Sequence, residues 1–323
     1  MTVRAMQAWE IGSRADRSRL AGVLAPVLTP FRSDLSPDAP RFTRHCSWLL
    51  SQGCAGLAVF GTTSEANSLS VEEKEALLEQ LLGAGIDPAK LMPGTGCCAL
   101  TDTVRLTRAA VRAGCAGVLM LPPFYYKGVS EDGLFRSFAE VIERVGEAGL
   151  RVYLYHIPPV AQVGFTVKLV ERLVTAYPRT VVGMKDSSGD WNNTKAMLDA
   201  FARSGFDVFA GSERFLLANL RNGGAGCITA TGNVNAAAIV RLFREWRSPG
   251  AEQIQESLNA LRGAVEKYPV IPALKAIVAH HSGDAAWRTL RPPLVELPGA
   301  QAEALLGDLR RLGFEMPGLE RLP

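Results

Sequence analysis

The sequence predicts an α/β fold: a closed (β/α)8 TIM barrel of parallel strands with a small helical appendage at its C-terminal end. Three observations predict it. Eight short apolar, β-rich runs recur between residues 22 and 229. Each reads as a continuous apolar stretch rather than an alternation, as strands buried on both faces do. Segments with helical periodicity lie between them. The chain length of 323 residues suits a barrel of about 250 residues with an addition.

Taken in order, the predicted strands are 22–28, 56–60, 91–95, 117–121, 152–156, 181–185, 207–210 and 226–229. The spacing predicts a helix over 71–83, started by Ser70 with Glu73 three residues on as a capping box. Another is predicted over 101–113, stopped by Gly114. An open doubly wound sheet is the rival fold. It would carry a glycine-rich phosphate loop after the first strand, where this chain has Thr29-Pro30-Phe31. After residue 240 strand signals cease, and 251–267, 271–280 and 300–312 read as helices, with Pro292-Pro293 between the last two. The expected organisation is an N-terminal extension over 1–20, a catalytic barrel over 21–240 and a helical region over 241–323.

Composition narrows the function classes. Apolar residues make up 47 % and charged residues 21 %, and 35 basic against 32 acidic residues leave a net charge of +3. Without a basic cluster there is no footprint for nucleic acid. No apolar run reaches the ~18 residues of a membrane helix. Cys46, Cys54, Cys97, Cys98, Cys115 and Cys227 form no C-x-x-C pair, so reduced thiols in a cytoplasmic protein are expected, several of them in the core. The first twenty residues hold Arg4, Arg14, Arg17 and Arg19 but no apolar stretch of a secretory signal. They read as a loosely held extension, with an organelle transit peptide as the alternative.

In such a barrel the active site lies at the C-terminal ends of the strands. Three places there carry chemistry. The sixth predicted strand closes in Gly183-Met184-Lys185-Asp186-Ser187-Ser188. Lys185 either snorkels or pairs with an acid such as Asp186, or it is a desolvated nucleophile. The second role needs a pKa near ~7–8 rather than ~10.4. The fifth strand ends in Tyr153-Leu154-Tyr155-His156, and alternation places both tyrosines on one face. Tyr155 could relay protons or be a core tyrosine with a satisfied hydroxyl; His156 reads as structural. The second strand runs into Gly61-Thr62-Thr63-Ser64-Glu65, whose backbone N–H groups and hydroxyls can cradle a carboxylate. Glu65 could serve as a general acid, though a structural hydrogen-bonding role is preferred. An amine, a phenol and an anion cradle on one rim equip a site for imine chemistry on a 2-oxo acid.

These residues, in this order, resemble the dihydrodipicolinate synthase / N-acetylneuraminate lyase family of class I, Schiff-base-forming aldolases. The likeness runs from about Gly22 to Pro293 and includes Pro122-Pro123-Phe124-Tyr125, Tyr155-His156-Ile157-Pro158, Gly183-Met184-Lys185 and Gly226-Cys227-Ile228-Thr229. The resemblance implies a Schiff base on Lys185, a proton relay through Tyr155 and Thr62, and a carboxylate held by Thr62 and Thr63. It implies that Tyr125, with Tyr126 as a nearby alternative, is lent across a dimer interface, and that the Ile228 carbonyl faces the bound oxo acid. It further implies a homotetramer built as a dimer of dimers, and no metal or organic cofactor.

Two departures stand out. Ser64 replaces the glycine of the family's G-T/S-T-G-E motif, which would strain the loop if that position needs φ > 0. The synthases carry an arginine five residues after the relay tyrosine, to grip the carboxylate of aspartate semialdehyde. Here the residue is Val160, which cannot donate such bonds. Where sialate lyases hold the sugar chain, this sequence offers Glu213 and Arg214 as contacts for the distal end of the substrate. The expected function is a lyase acting on pyruvate or another 2-oxo acid, by aldol cleavage, condensation or dehydration. The alternatives are an authentic 4-hydroxy-tetrahydrodipicolinate synthase of lysine biosynthesis, and a non-catalytic oxo-acid binder.

Overall fold

The computed structural model describes residues 19–319. Its strands are β1 (Gly22–Ala25), β2 (Gly56–Leu57), β3 (Val118–Met120), β4 (Val152–His156), β5 (Val181–Asp186), β6 (Asp207–Ala210) and β7 (Gly226–Ile228). They pair in parallel in the order β2-β1-β7-β6-β5-β4-β3. The predicted strand at 91–95 is not regular, because Pro93 has no N–H to give a ladder. It still joins the two edges. Met92 N donates to Leu57 O at 2.9 Å and Gly94 N to Val59 O at 2.7 Å on the β2 side. On the β3 side Leu119 N donates to Pro93 O at 2.9 Å and Thr95 N to Leu119 O at 3.1 Å. These bonds close the barrel.

Four other strands are shorter than predicted, β3 and β7 by one or two residues and β1 and β2 by three. β1 ends at Ala25, before Pro26. β2 ends at Leu57, and Phe60 turns the chain out of the sheet at φ 61°.

The helices are α1 (Ala39–Ser51), α2 (Val71–Gly83), α3 (Leu100–Arg112), α4 (Glu131–Val145), the short α5 (Pro158–Ala161), α6 (Val167–Ala176), α7 (Trp191–Phe201), α8 (Leu216–Arg221), α9 (Gly232–Glu245), α10 (Ala251–Val265), α11 (Val270–Ser282) and α12 (Gly299–Arg311). The Ser70–Glu73 capping box starts α2: the Ser70 hydroxyl accepts from Glu73 N at 3.1 Å and the Glu73 carboxylate from Ser70 N at 2.9 Å. Gly114, at φ +78°, follows α3 as expected.

Alternation along β4 sends Tyr153 and Tyr155 into the barrel with Leu24, Ala58, Leu119 and Phe209, while Leu154 packs outward among the helices. Tyr153 explains Gly183, since a Cβ there would meet its ring at 2.6 Å. Below Tyr153, Arg19 plugs the N-terminal end of the barrel. Its Nε donates to Asp207 at 2.8 Å and its Nη2 to Val182 O at 2.6 Å. The end of the predicted loose extension is therefore anchored at Arg19; its residues 1–18 lie outside the described part.

One apolar core runs from β1 and α1 through α9 to α12, taking in Phe31, Trp48, Leu274, Ile277, Trp287 and Leu305. The helices after residue 250 thus pack on the β1 side and bring α10 and α11 to the barrel mouth. All six cysteines are free, with Cys46, Cys54 and Cys227 buried. Among the described residues no helix is long and apolar enough to cross a membrane, and no cluster of His, Cys, Asp or Glu could hold a metal ion.

Candidate active site

Register places the amine beside the phenol. Tyr155 on β4 is level with Lys185 on β5, next to the C-terminal ends of both strands. Both are almost fully buried. Lys185 Nζ donates to Tyr155 Oη at 3.3 Å and lies 4.4 Å from the centroid of the ring. Thr62 Oγ1 is 3.2 Å from the same phenol oxygen. The phenol therefore bridges the amine and the threonine turn, a continuous path for a proton.

The alternative pairing of Lys185 with Asp186 is not what the structure contains. Alternation turns Asp186 away from the interior, where it accepts from Ser188 N at 2.8 Å, Asn193 Nδ2 at 2.9 Å and Thr194 Oγ1 at 2.7 Å. Among the described residues lysine ion pairs are formed by Lys195, Lys267 and Lys275, not by Lys185. His156 is also turned outward; its Nδ1 accepts from Phe165 N at 2.9 Å, and burial pushes its pKa down.

The chain leaves β2 into a single tight turn, Thr62–Ser64, that presents Thr62 and Thr63 to the cavity. Ser64 points inward and holds the turn. Its hydroxyl accepts from Gly61 N at 3.2 Å, and its carbonyl accepts from Thr29 Oγ1 at 2.8 Å. The conditional strain at Ser64 does not arise, because the left-handed residue is Glu65, at φ 55°. Glu65 is held there by an ion pair with Lys275 at 2.5 Å and by Arg291 N at 3.1 Å. These contacts describe a structural role, not a general acid.

The cavity over this cluster has a volume of about 620 Å³. Thr62, Thr63, Tyr155, Lys185, Val160 and Arg214 all line it. Val160 sits on α5 and is 60 % exposed. Three predicted site residues have their side chains elsewhere. Ile228 has its side chain in the barrel interior. Tyr125 is 73 % exposed, edge-on to Tyr126 with ring centroids 5.3 Å apart, and does not line the cavity of its own chain.

Glu213 is fully buried behind the wall. Its carboxylate accepts from the hydroxyls of Thr229 and Thr231 and pairs with Arg262 at 2.8 Å. Of the two residues foreseen as distal contacts, Glu213 is thus withdrawn from the cavity and Arg214 lines it. Sequence reasoning missed Arg262 of α10, Glu266 just after it and the segment 269–272, which also line the cavity. Nothing in a helical pattern says which helix end reaches a barrel mouth.

Closed parallel barrel and buried strand-end lysine together define the class: an enzyme with its site at the C-terminal face of a TIM barrel. The Dihydrodipicolinate synthetase family model matches residues 19–311. The chain is 35 % identical over 295 residues to an uncharacterized DapA-like lyase of Chloroflexus aurantiacus, covering 90 % of this chain and 96 % of that protein. It is 29 % identical to the 4-hydroxy-tetrahydrodipicolinate synthase of Rhizobium meliloti, covering 91 % and 98 %.

Solved structures agree. The dihydrodipicolinate synthase of Agrobacterium tumefaciens superposes with a TM-score of 0.82 at 33 % identity, covering 90 % of this chain and 99 % of the other. A prophage protein of the dihydrodipicolinic acid synthase family from E. coli K12, solved in complex with pyruvate, gives 0.83 at 27 %, covering 91 % and 99 %. The chain belongs to the dihydrodipicolinate synthetase family and is a carbon–carbon or carbon–oxygen lyase.

Proposed function

We propose that the protein binds pyruvate or another 2-oxo acid as a Schiff base on Lys185 and makes or breaks a bond next to the imine carbon. The observation that carries this reading is the buried Lys185 amine, 3.3 Å from the Tyr155 hydroxyl and facing a cavity rather than a carboxylate. The free amine adds to the ketone, and loss of water leaves an iminium. The cationic nitrogen then draws electrons from the adjacent C–C, C–O or C–H bond. Tyr155 moves the protons with Thr62, while Thr62 and Thr63 hold the substrate carboxylate. The Ile228 carbonyl faces the oxo acid. Tyr125 completes the relay from a neighbouring protomer of a homotetramer, in keeping with its exposure.

Borohydride reduction in the presence of pyruvate, read by peptide mass spectrometry, tests the reading. The expected product is a stable adduct on Lys185. An unmodified Lys185 across a panel of 2-oxo acids would falsify it.

Relatives named 4-hydroxy-tetrahydrodipicolinate synthase favour a second reading, that aspartate semialdehyde is the partner of pyruvate. Val160, at the lip of the cavity, stands against it. Efficient turnover in a coupled assay with both substrates would establish this second reading.

A further inference from the structure

Beyond Lys185, Tyr155 and the threonine turn, much of the cavity lining is apolar. Ile157, Pro159 and Val160 line one side, and Val270, Ile271 and Leu294 line the segment contributed by the C-terminal region. The aromatic face of Phe215, itself packed on Trp191 at 5.9 Å between centroids, lines it too.

The guanidinium groups among the lining are already matched. Arg214 pairs with Glu266 at 2.6 Å, and Arg262 pairs with Glu266 at 2.7 Å and with Glu213 at 2.8 Å. Two guanidinium groups thus face two carboxylates. An incoming carboxylate would have to compete with Glu266 for its donors. Asp186 offers little to a polyhydroxylated chain, because its oxygens are taken by Ser188, Asn193 and Thr194, which leaves the Ser187 and Ser212 hydroxyls and the already paired Glu266.

We infer that the second substrate is an aldehyde with an apolar alkyl or aryl chain, seated against these apolar residues. The inference rests on the Schiff-base reading above and names its acceptor class. In the condensing direction, the enamine of the Lys185-bound oxo acid attacks the aldehyde carbon through its C3. A C–C bond forms, the aldehyde oxygen takes a proton from the Tyr155 relay, and water releases a 4-hydroxy-2-oxo acid from Lys185. In the cleaving direction the same bond breaks and the apolar aldehyde leaves first.

The test uses the full-length protein with pyruvate and four probes: benzaldehyde, butanal, D-glyceraldehyde and glyoxylate. The expected result is a kcat/KM for benzaldehyde or butanal at least ~10-fold above those for D-glyceraldehyde and glyoxylate. Val160→Arg, at an exposed position, should lower the apolar rates and raise the glyoxylate rate by about 10-fold. Pyruvate-only borohydride trapping separates the two possible failures. A normal Lys185 adduct with glyoxylate or D-glyceraldehyde as the better acceptor overturns the acceptor class alone. Absence of the adduct overturns the Schiff-base reading and this inference with it.

Discussion

Lys185 and Lys275 sit in two regions of the molecule that burial alone cannot tell apart. Both side chains are almost wholly removed from water, at 4 % and 0 % exposure. Both amines lie over an aromatic ring, Lys185 4.4 Å from the Tyr155 centroid and Lys275 4.5 Å from that of Phe31. Their polar partners differ. Lys275, behind the threonine turn, has the Glu65 carboxylate at 2.5 Å and donates to Thr289 O at 2.8 Å. Burial pulls its pKa down to about 8, with Glu65 opposing the fall. Lys185, at the mouth, has a phenol hydroxyl and an open cavity. A buried amine with a carboxylate is a closed structural joint. One with a phenol and an empty space is available to a carbonyl.

The largest expected effect breaks the comparison at the mouth. Lys185→Ala should lower turnover by at least ~10³-fold and abolish borohydride trapping, while leaving the fold intact by circular dichroism. Tyr155→Phe keeps the ring under the amine and removes only the hydroxyl. It should cut kcat by about 10³-fold, with a changed pH profile and trapping that is slower but present.

The same kind of truncation at the joint should do the opposite. Lys275→Met leaves the Glu65 carboxylate buried without its cation, which costs about 3–5 kcal/mol. Chemical denaturation should read that loss, while the protein that remains folded still traps pyruvate on Lys185. Loss of trapping with unchanged stability would show that Lys275, not only Lys185, serves the chemistry.

The smallest effect sharpens the contrast through pH. His45 is buried on α1, 3.2 Å from Asn233 Oδ1, and burial holds its pKa down at about 4 against 6.5 for an exposed histidine. The folded protein therefore binds fewer protons than the unfolded chain between these values, and acid favours unfolding. Stability is expected to be full above pH 6.5 and to fall by roughly 3 kcal/mol as pH drops to about 4. Denaturation midpoints of the parent and of His45→Gln across that range check it; the variant should lose less.

Much of the fold was legible because it is repetitive. The strands 152–156 and 207–210 and the helix 71–83 have the predicted bounds, since a continuous apolar run or a capped periodic stretch is a local signal. The run at 91–95 was legible as an apolar segment but not as an irregular joint, which depends on where Pro93 falls between two neighbours. In the site, Lys185, Tyr155, Thr62 and Thr63 could be singled out because each lies at the end of a strand or in the turn that follows one. Arg262 and Glu266 could not, since α10 begins more than twenty residues after the last strand and only packing brings it to the mouth.

By itself the sequence determined where most strands lie, which face of β4 carries both tyrosines, and that Lys185, Tyr155, Thr62 and Thr63 stand at strand ends on one rim. These follow from period and chain order, which are local. The tertiary structure decided which groups are partners: that Glu65 belongs to Lys275, that Glu213 is spent on Thr229, Thr231 and Arg262, and that Lys185 is left with a phenol. Ion pairing and desolvation are set by distances between segments far apart in the chain, and only the folded arrangement fixes those distances.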